Sequence, residues 1–142
     1  MIVNKKIFLV DDDEDDQLFF TDALKEIDPA IQCSVARNGK DAIKILQGLN
    51  ELPDVLFLDL NMPFMNGFEC LKVLKTEIKL SLIPIVIFTT SNDPRDVQLT
   101  HRLGAEVFLS KPTDFNQLKL KLEHILKINF DFYTPEISQY SL

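Results

Sequence analysis

The stretch Asp54-Val55-Leu56-Phe57-Leu58-Asp59-Leu60-Asn61-Met62-Pro63 carries four apolar residues into one aspartate and then breaks at a proline. An uninterrupted apolar run of this length reads as a strand covered on both faces. Asp59 then falls at the carboxyl end of that strand, where a buried run meets solvent. Open parallel sheets hold their ligands outside that edge. An acid can also merely end a strand, so the meaning of Asp59 depends on what else reaches the same edge.

Working outward, two more continuous apolar runs end in polar residues. Ile7-Phe8-Leu9-Val10 passes at once into Asp11-Asp12-Asp13-Glu14-Asp15-Asp16, and Ile85-Val86-Ile87-Phe88 into Thr89-Thr90-Ser91-Asn92. A short fourth segment, Glu106-Val107-Phe108-Leu109, ends in Ser110-Lys111-Pro112. A fifth, with Ile31, Cys33 and Val35 alternating with polar residues, reads as half exposed. Helical spacing appears between them. Phe20, Ala23, Leu24 and Ile27 mark a helix over residues 14–27; Ala42, Ile43 and Leu46 a second; Cys70, Leu71 and Leu74 a third. Asp93-Pro94 starts a fourth that Gly104 closes, and Phe115, Leu118, Leu122, Ile125 and Leu126 mark a fifth.

Strict strand–helix alternation implies an α/β fold, a doubly wound parallel sheet with helices on both faces. The continuous runs belong in the centre and the alternating and short ones at the edges, which gives five strands in the order 2-1-3-4-5 and five helices. The topological switch then lies between strands one and three. Asp11, Asp12 and Asp59 meet there, and Thr89 and Lys111 end the next two strands. Asp13 to Asp16 are assigned mainly to the start of the first helix, where acids cap free N–H groups and favour the dipole.

The chain of 142 residues suits one domain with a real core. Apolar content of 46% and charged content of 26% fit a folded, soluble composition. The net charge of −7 argues against direct nucleic-acid binding or docking on an anionic membrane. The first residues lack a signal-peptide core, and no apolar run approaches the roughly 20 residues of a membrane span. The expected location is cytoplasmic. Cys33 and Cys70 read as core residues, and His101 and His124 lack partners at zinc-ligand spacing.

Clustered carboxylates are costly. At about 5 Å and an effective dielectric of about 20, each like-charged pair repels by roughly 3 kcal/mol. Raised pKa values or a bound cation relieve that cost. An oxygen-only site at a solvent-facing edge suits Mg²⁺, which keeps waters and seeks phosphate oxygens. A carboxylate can also attack phosphorus to give an aspartyl phosphate. Lys111 and Thr89 supply the ammonium and hydroxyl that phosphoryl transfer needs for charge neutralisation and positioning.

Taken together, Leu9-Val10-Asp11-Asp12-Asp13, Leu58-Asp59-Leu60-Asn61-Met62-Pro63 with Asn66-Gly67, Phe88-Thr89-Thr90-Ser91, and Gly104-Ala105 through Lys111-Pro112 resemble the receiver domain of two-component response regulators, close to the stand-alone, chemotaxis-type receivers. The resemblance covers about residues 5–127. It implies a flavodoxin-like receiver domain over residues 1–127, followed by a tail, 128–142, without a separate output domain. It implies that Asp59 is the phosphoacceptor, taking phosphate from a histidine kinase or a histidine phosphotransfer protein. It further implies that Asp12 binds Mg²⁺ directly, Asp11 through water, and Asn61 through its backbone carbonyl, with Asp59 in the same metal site. Thr89 and Lys111 would contact the phosphoryl oxygens, and Thr89 and Phe108 would form the switch. Output would pass through an unidentified protein target, from a monomer or weak homodimer, rather than through DNA. Packing of the aromatic tail on the domain and contact with a partner both remain open.

Two other readings compete. An Mg²⁺-dependent phosphatase with an aspartyl-phosphate intermediate resembles Asp-x-Asp-x-Thr at a strand end, but Asp59-Leu60-Asn61-Met62-Pro63 lacks the second acid. A phosphate-independent scaffold would not require the intact acid, threonine and lysine set. A dinucleotide-binding fold is excluded for want of a Gly-x-Gly-x-x-Gly turn.

Overall fold

The computed structural model describes residues 1–142. Strands β1 (Lys6–Val10), β2 (Gln32–Ala36), β3 (Val55–Leu58), β4 (Ile85–Thr89) and β5 (Val107–Ser110) form one parallel sheet in the order β2-β1-β3-β4-β5. The expected order is the observed one. β1, β3 and β4 are buried almost throughout, whereas β2, at one edge, is open to solvent along most of its length.

Five long helices alternate with the strands: α1 (Glu14–Ile27), α2 (Gly39–Gln47), α3 (Gly67–Thr76), α4 (Pro94–Arg102) and α5 (Phe115–Leu126). Each starts where a side chain caps it. Asp13, Asn38, Asn66, Asp93 and Asp114 each accept a hydrogen bond from a backbone amide of the first turn. Asn66 and Glu69 form a reciprocal capping box at α3.

Alternate strand residues feed two apolar layers. Phe8, Val10, Leu56, Leu58, Ile85 and Ile87 pack with α2 and α3, and Val97 and Leu103 join from the α4 side. Ile7, Leu9, Val55, Phe57, Val86 and Phe88 pack with α1 and α5. Phe57 lies edge-on to Phe20 at 4.9 Å and to Phe88 at 6.1 Å. Truncating such a ring to alanine costs about 3–5 kcal/mol, so this trio alone is a large share of a domain's net stability.

The helix count corrects the expectation of five. A short sixth helix, α6 (Ile137–Tyr140), follows a 3-10 turn at Phe130–Phe132, and another 3-10 turn, Leu80–Leu82, precedes β4. Four residues are too few for a helical period to show in the sequence. The tail packs on the domain. Tyr140 is fully buried, and the Leu142 amide donates to the Phe108 carbonyl at 2.8 Å. No helix is long and apolar enough to cross a membrane.

Candidate functional site

Three backbone bonds set the floor of the site. The Asp59 amide donates to Val10 O at 3.0 Å, tying the end of β3 to the end of β1. The Asp11 amide donates to Ala36 O at 3.1 Å, and the Lys111 amide to Thr89 O at 2.7 Å. Sheet pairing thus continues one residue past the strands and delivers Asp11, Asp59 and Lys111 to a common edge. Asp11 is fully buried, Asp59 is 5% exposed, and Asp12 is exposed.

Carboxylate oxygens of Asp11, Asp12 and Asp59 lie within 4.8 Å of one another. Lys111 enters from β5. Its ammonium donates to Asp11 Oδ2 and Asp16 Oδ2 at 2.8 Å each, and stands 3.6 Å from Asp59 Oδ2. The same ammonium lies 5.5 Å above the Phe88 ring. Asp11 Oδ1 accepts from the Asp13 amide at 3.0 Å, and Asp59 Oδ1 from the Asn61 amide at 3.4 Å.

The electrostatics follow from burial. Desolvation pushes the Asp59 carboxyl up to about 6, against the ammonium of Lys111 and with the help of the charge on Asp11. Asp11 is also raised by burial, although Lys111 opposes the shift. Burial pulls the Lys111 ammonium down, but its hydrogen bonds to Asp11 and Asp16 and the charge on Asp59 outweigh it and raise its pKa. Lys111 is therefore cationic throughout the range in which Asp59 titrates. Three carboxylates with oxygens within 4.8 Å of one another, with one cation beside them and net negative charge, fit a small divalent ion such as Mg²⁺.

The remaining candidates are placed as follows. Thr89 is fully buried at the end of β4, and its hydroxyl oxygen accepts from the Ser91 amide at 3.3 Å. Phe108 is fully buried in the layer that also holds Tyr140. Asn61 follows Asp59 in the β3–α3 turn and contributes its amide to Asp59.

Two contributors were assigned other roles in the sequence. Asp16 was given to helix capping, and its amide does bond Asp13 at 3.0 Å, yet its carboxylate holds Lys111. Its signal was the place of an acid one turn past the strand end. Gly67 appeared beside Asn66 in the receiver resemblance, but a Cβ there would lie 2.3 Å from Asp59 O and 2.5 Å from Leu60 Cα. The start of α3 therefore presses directly on the backbone that carries Asp59, a closeness that glycine allows.

Comparison with known proteins agrees with this geometry. The response regulator receiver domain family matches residues 7–123. Protein PilH of Pseudomonas aeruginosa is 31% identical over 121 residues, covering 85% of this chain and 97% of PilH. The crystal structure of the phosphorylated cyanobacterial phytochrome response regulator RcpA superposes with a TM-score of 0.79 at 29% identity, over 87% of this chain and 91% of RcpA. The Mn²⁺-bound form of response regulator Rcp1 superposes at 0.74 with 27% identity, over 92% of this chain and 99% of Rcp1. Some curated relatives are longer, and the chain spans about a third or a quarter of their length. A parallel sheet in this order, with an acid cluster and a lysine at its carboxyl edge, and a family match across most of the sequence, lead to one conclusion: the chain belongs to the response regulator receiver domain family, the phosphoryl-accepting module of two-component signalling.

Proposed function

We propose that Asp59 is the phosphoacceptor, and that the chain signals by binding a protein partner, or relays phosphate, according to its phosphorylation state. The observation that carries this is the position of Asp59: an almost buried carboxylate, flanked by two further acids and by a lysine that stops 3.6 Å away. The donor is the phosphohistidine of a histidine kinase or a histidine phosphotransfer protein. Asp59 attacks the phosphorus, the phosphorus–nitrogen bond breaks, and the histidine leaves with the bonding pair and takes up a proton. The reading places the site in the cytoplasm, on one body with a receiver domain over 1–127 and a tail over 128–142.

The residues fit Mg²⁺: Asp12, Asp59 and the Asn61 carbonyl would hold it directly, and Asp11 through water. When bound, it supplies charge neutralisation for the carboxylates and the phosphoryl oxygens. Lys111, already ordered by Asp11 and Asp16, neutralises a phosphoryl oxygen without reorganising. Thr89 donates its hydroxyl to a second oxygen.

The test is intact-mass spectrometry after incubation with Mg²⁺ and acetyl phosphate. A single Mg²⁺-dependent phosphate adduct, missing from Asp59→Asn, is the expected result. Steady turnover of a phosphomonoester would instead favour the phosphatase reading.

A further inference from the structure

The segment from Ile137 to Leu142 takes no part in the site, yet it is docked across the outer edge of β5. The Tyr140 hydroxyl donates to Thr100 Oγ1 at 2.7 Å, and both residues are fully buried. The Tyr140 ring lies 4.9 Å from His101 and 6.2 Å from Phe108. Ser141 makes a single parallel bridge to Phe108. Tyr140 belongs to one apolar layer and Leu142 packs against the other, so the segment closes both layers at an edge that would otherwise offer free backbone groups.

The anchorage consists of one parallel bridge with its Leu142 amide bond to Phe108 O, the Tyr140–Thr100 hydrogen bond and the buried Tyr140 ring. A segment held through one buried side chain opens at less than the free energy of global unfolding, so a change at that anchor shifts its equilibrium.

The anchor is joined to the site by a continuous run of hydrogen bonds. Thr89 Oγ1 accepts from the Ser91 amide at 3.3 Å, and Ser91 Oγ donates to Asp96 Oδ2 at 2.6 Å. One turn along α4, Thr100 Oγ1 donates to the Asp96 carbonyl at 2.8 Å and accepts from Tyr140. A second route returns through β5, where Ser110 Oγ donates to Ser91 O at 3.0 Å, two residues beyond Phe108.

We infer that residues 137–142 are a strap over the β5 edge that phosphorylation of Asp59 releases. The inference rests on the role proposed for Asp59. A phosphoryl group there draws the Thr89 hydroxyl toward its oxygens and away from the Ser91 amide. The connection between β4 and α4 resets, Asp96 and Thr100 shift with it, and Tyr140 loses its acceptor. The strand edge and the slot beside α4 are covered in the unmodified chain and open in the phosphorylated one.

Amide hydrogen exchange on the full chain tests this, read at Leu142 by nuclear magnetic resonance. With Mg²⁺ and acetyl phosphate, and a single adduct confirmed by intact mass, exchange at Leu142 accelerates by about tenfold or more. Asp59→Asn under the same reagents shows no acceleration. In the unmodified chain, Tyr140→Phe and Ser91→Ala each speed exchange, the latter without touching the strap itself. Unchanged exchange in a chain that carries the adduct overturns the inference. Absence of an adduct is seen first in the mass spectrum and removes the trigger along with the role of Asp59; the relay then stands or falls on Ser91→Ala.

Discussion

The Lys111 ammonium stands 3.6 Å from the Asp59 carboxylate, within ion-pair range but beyond a hydrogen bond. Its two short bonds go to Asp11 and Asp16 instead. The lysine therefore neutralises charge at the site without occupying the oxygens of Asp59, which stay available for attack. Replacing it leaves Asp11 buried and unpaired. Lys111→Met is expected to cost about 3 kcal/mol or more, because breaking one half of a buried pair strands the other charge. Urea unfolding at neutral pH checks this, and a loss under about 1 kcal/mol would show that the pair is not the structural anchor described.

The raised pKa of Asp59 has a definite sign in stability. The folded protein holds this proton at about 6, above the ordinary 3.8, so it binds it more tightly than the unfolded chain does. The stabilisation is complete below pH 3.8 and is lost as pH rises through about 6. The gap corresponds to about 3 kcal/mol at neutral pH. Asp59→Asn carries no such charge. In chelator at about pH 7.5 the variant melts higher, by about 1–3 kcal/mol of stability, and the advantage shrinks toward pH 4. A variant that is less stable at neutral pH would mean that the acids do not repel as described.

Gly67 is fixed by contact with backbone rather than by its torsion angles. Because a Cβ would meet Asp59 O at 2.3 Å, neither neighbour can yield by a simple side-chain rotation. Gly67→Ala is expected to cost about 2–3 kcal/mol, the upper range for overpacking, and to slow phosphorylation by displacing Asp59. Thermal melts and adduct formation with acetyl phosphate measure the two effects together. Near-wild-type behaviour in both would contradict the close approach.

Phe64 has a φ of 67° and is 89% exposed. A left-handed backbone costs a side-chain-bearing residue about 1–2 kcal/mol, and glycine returns about 0.5–1 through its freer unfolded chain. Phe64→Gly is therefore expected to raise stability by about 0.5–1 kcal/mol, with little burial lost. A fall in melting temperature would count against strain in this turn.

Much of this architecture was written in the apolar pattern. Buried runs at Ile7–Val10, Val55–Leu58 and Ile85–Phe88 marked the central strands, because both faces of such strands must be covered. Once the order followed, the strand-end acids, Thr89 and Lys111 fell on one edge. What stayed hidden depends on three-dimensional approach. The second role of Asp16 needs the path of Lys111 across from β5. The demand on Gly67 comes from the angle at which α3 meets β3. Burial of Tyr140 depends on one hydroxyl meeting Thr100 across forty positions of sequence, and a four-residue helix leaves no periodic trace. Phe64 occupies a conformation more typical of glycine or asparagine, so its type gave no warning.

In the function proposed here Asp59, rather than Asp11 or Asp12 beside it, takes the phosphoryl group. The most direct measurement is borohydride reduction of the chain treated with acetyl phosphate and Mg²⁺, followed by peptide mass mapping. Hydride cleaves an acyl phosphate and converts that aspartate to homoserine. Homoserine at position 59 alone is the expected result. Conversion at Asp11 or Asp12, or none in a chain that carries the adduct, would contradict it.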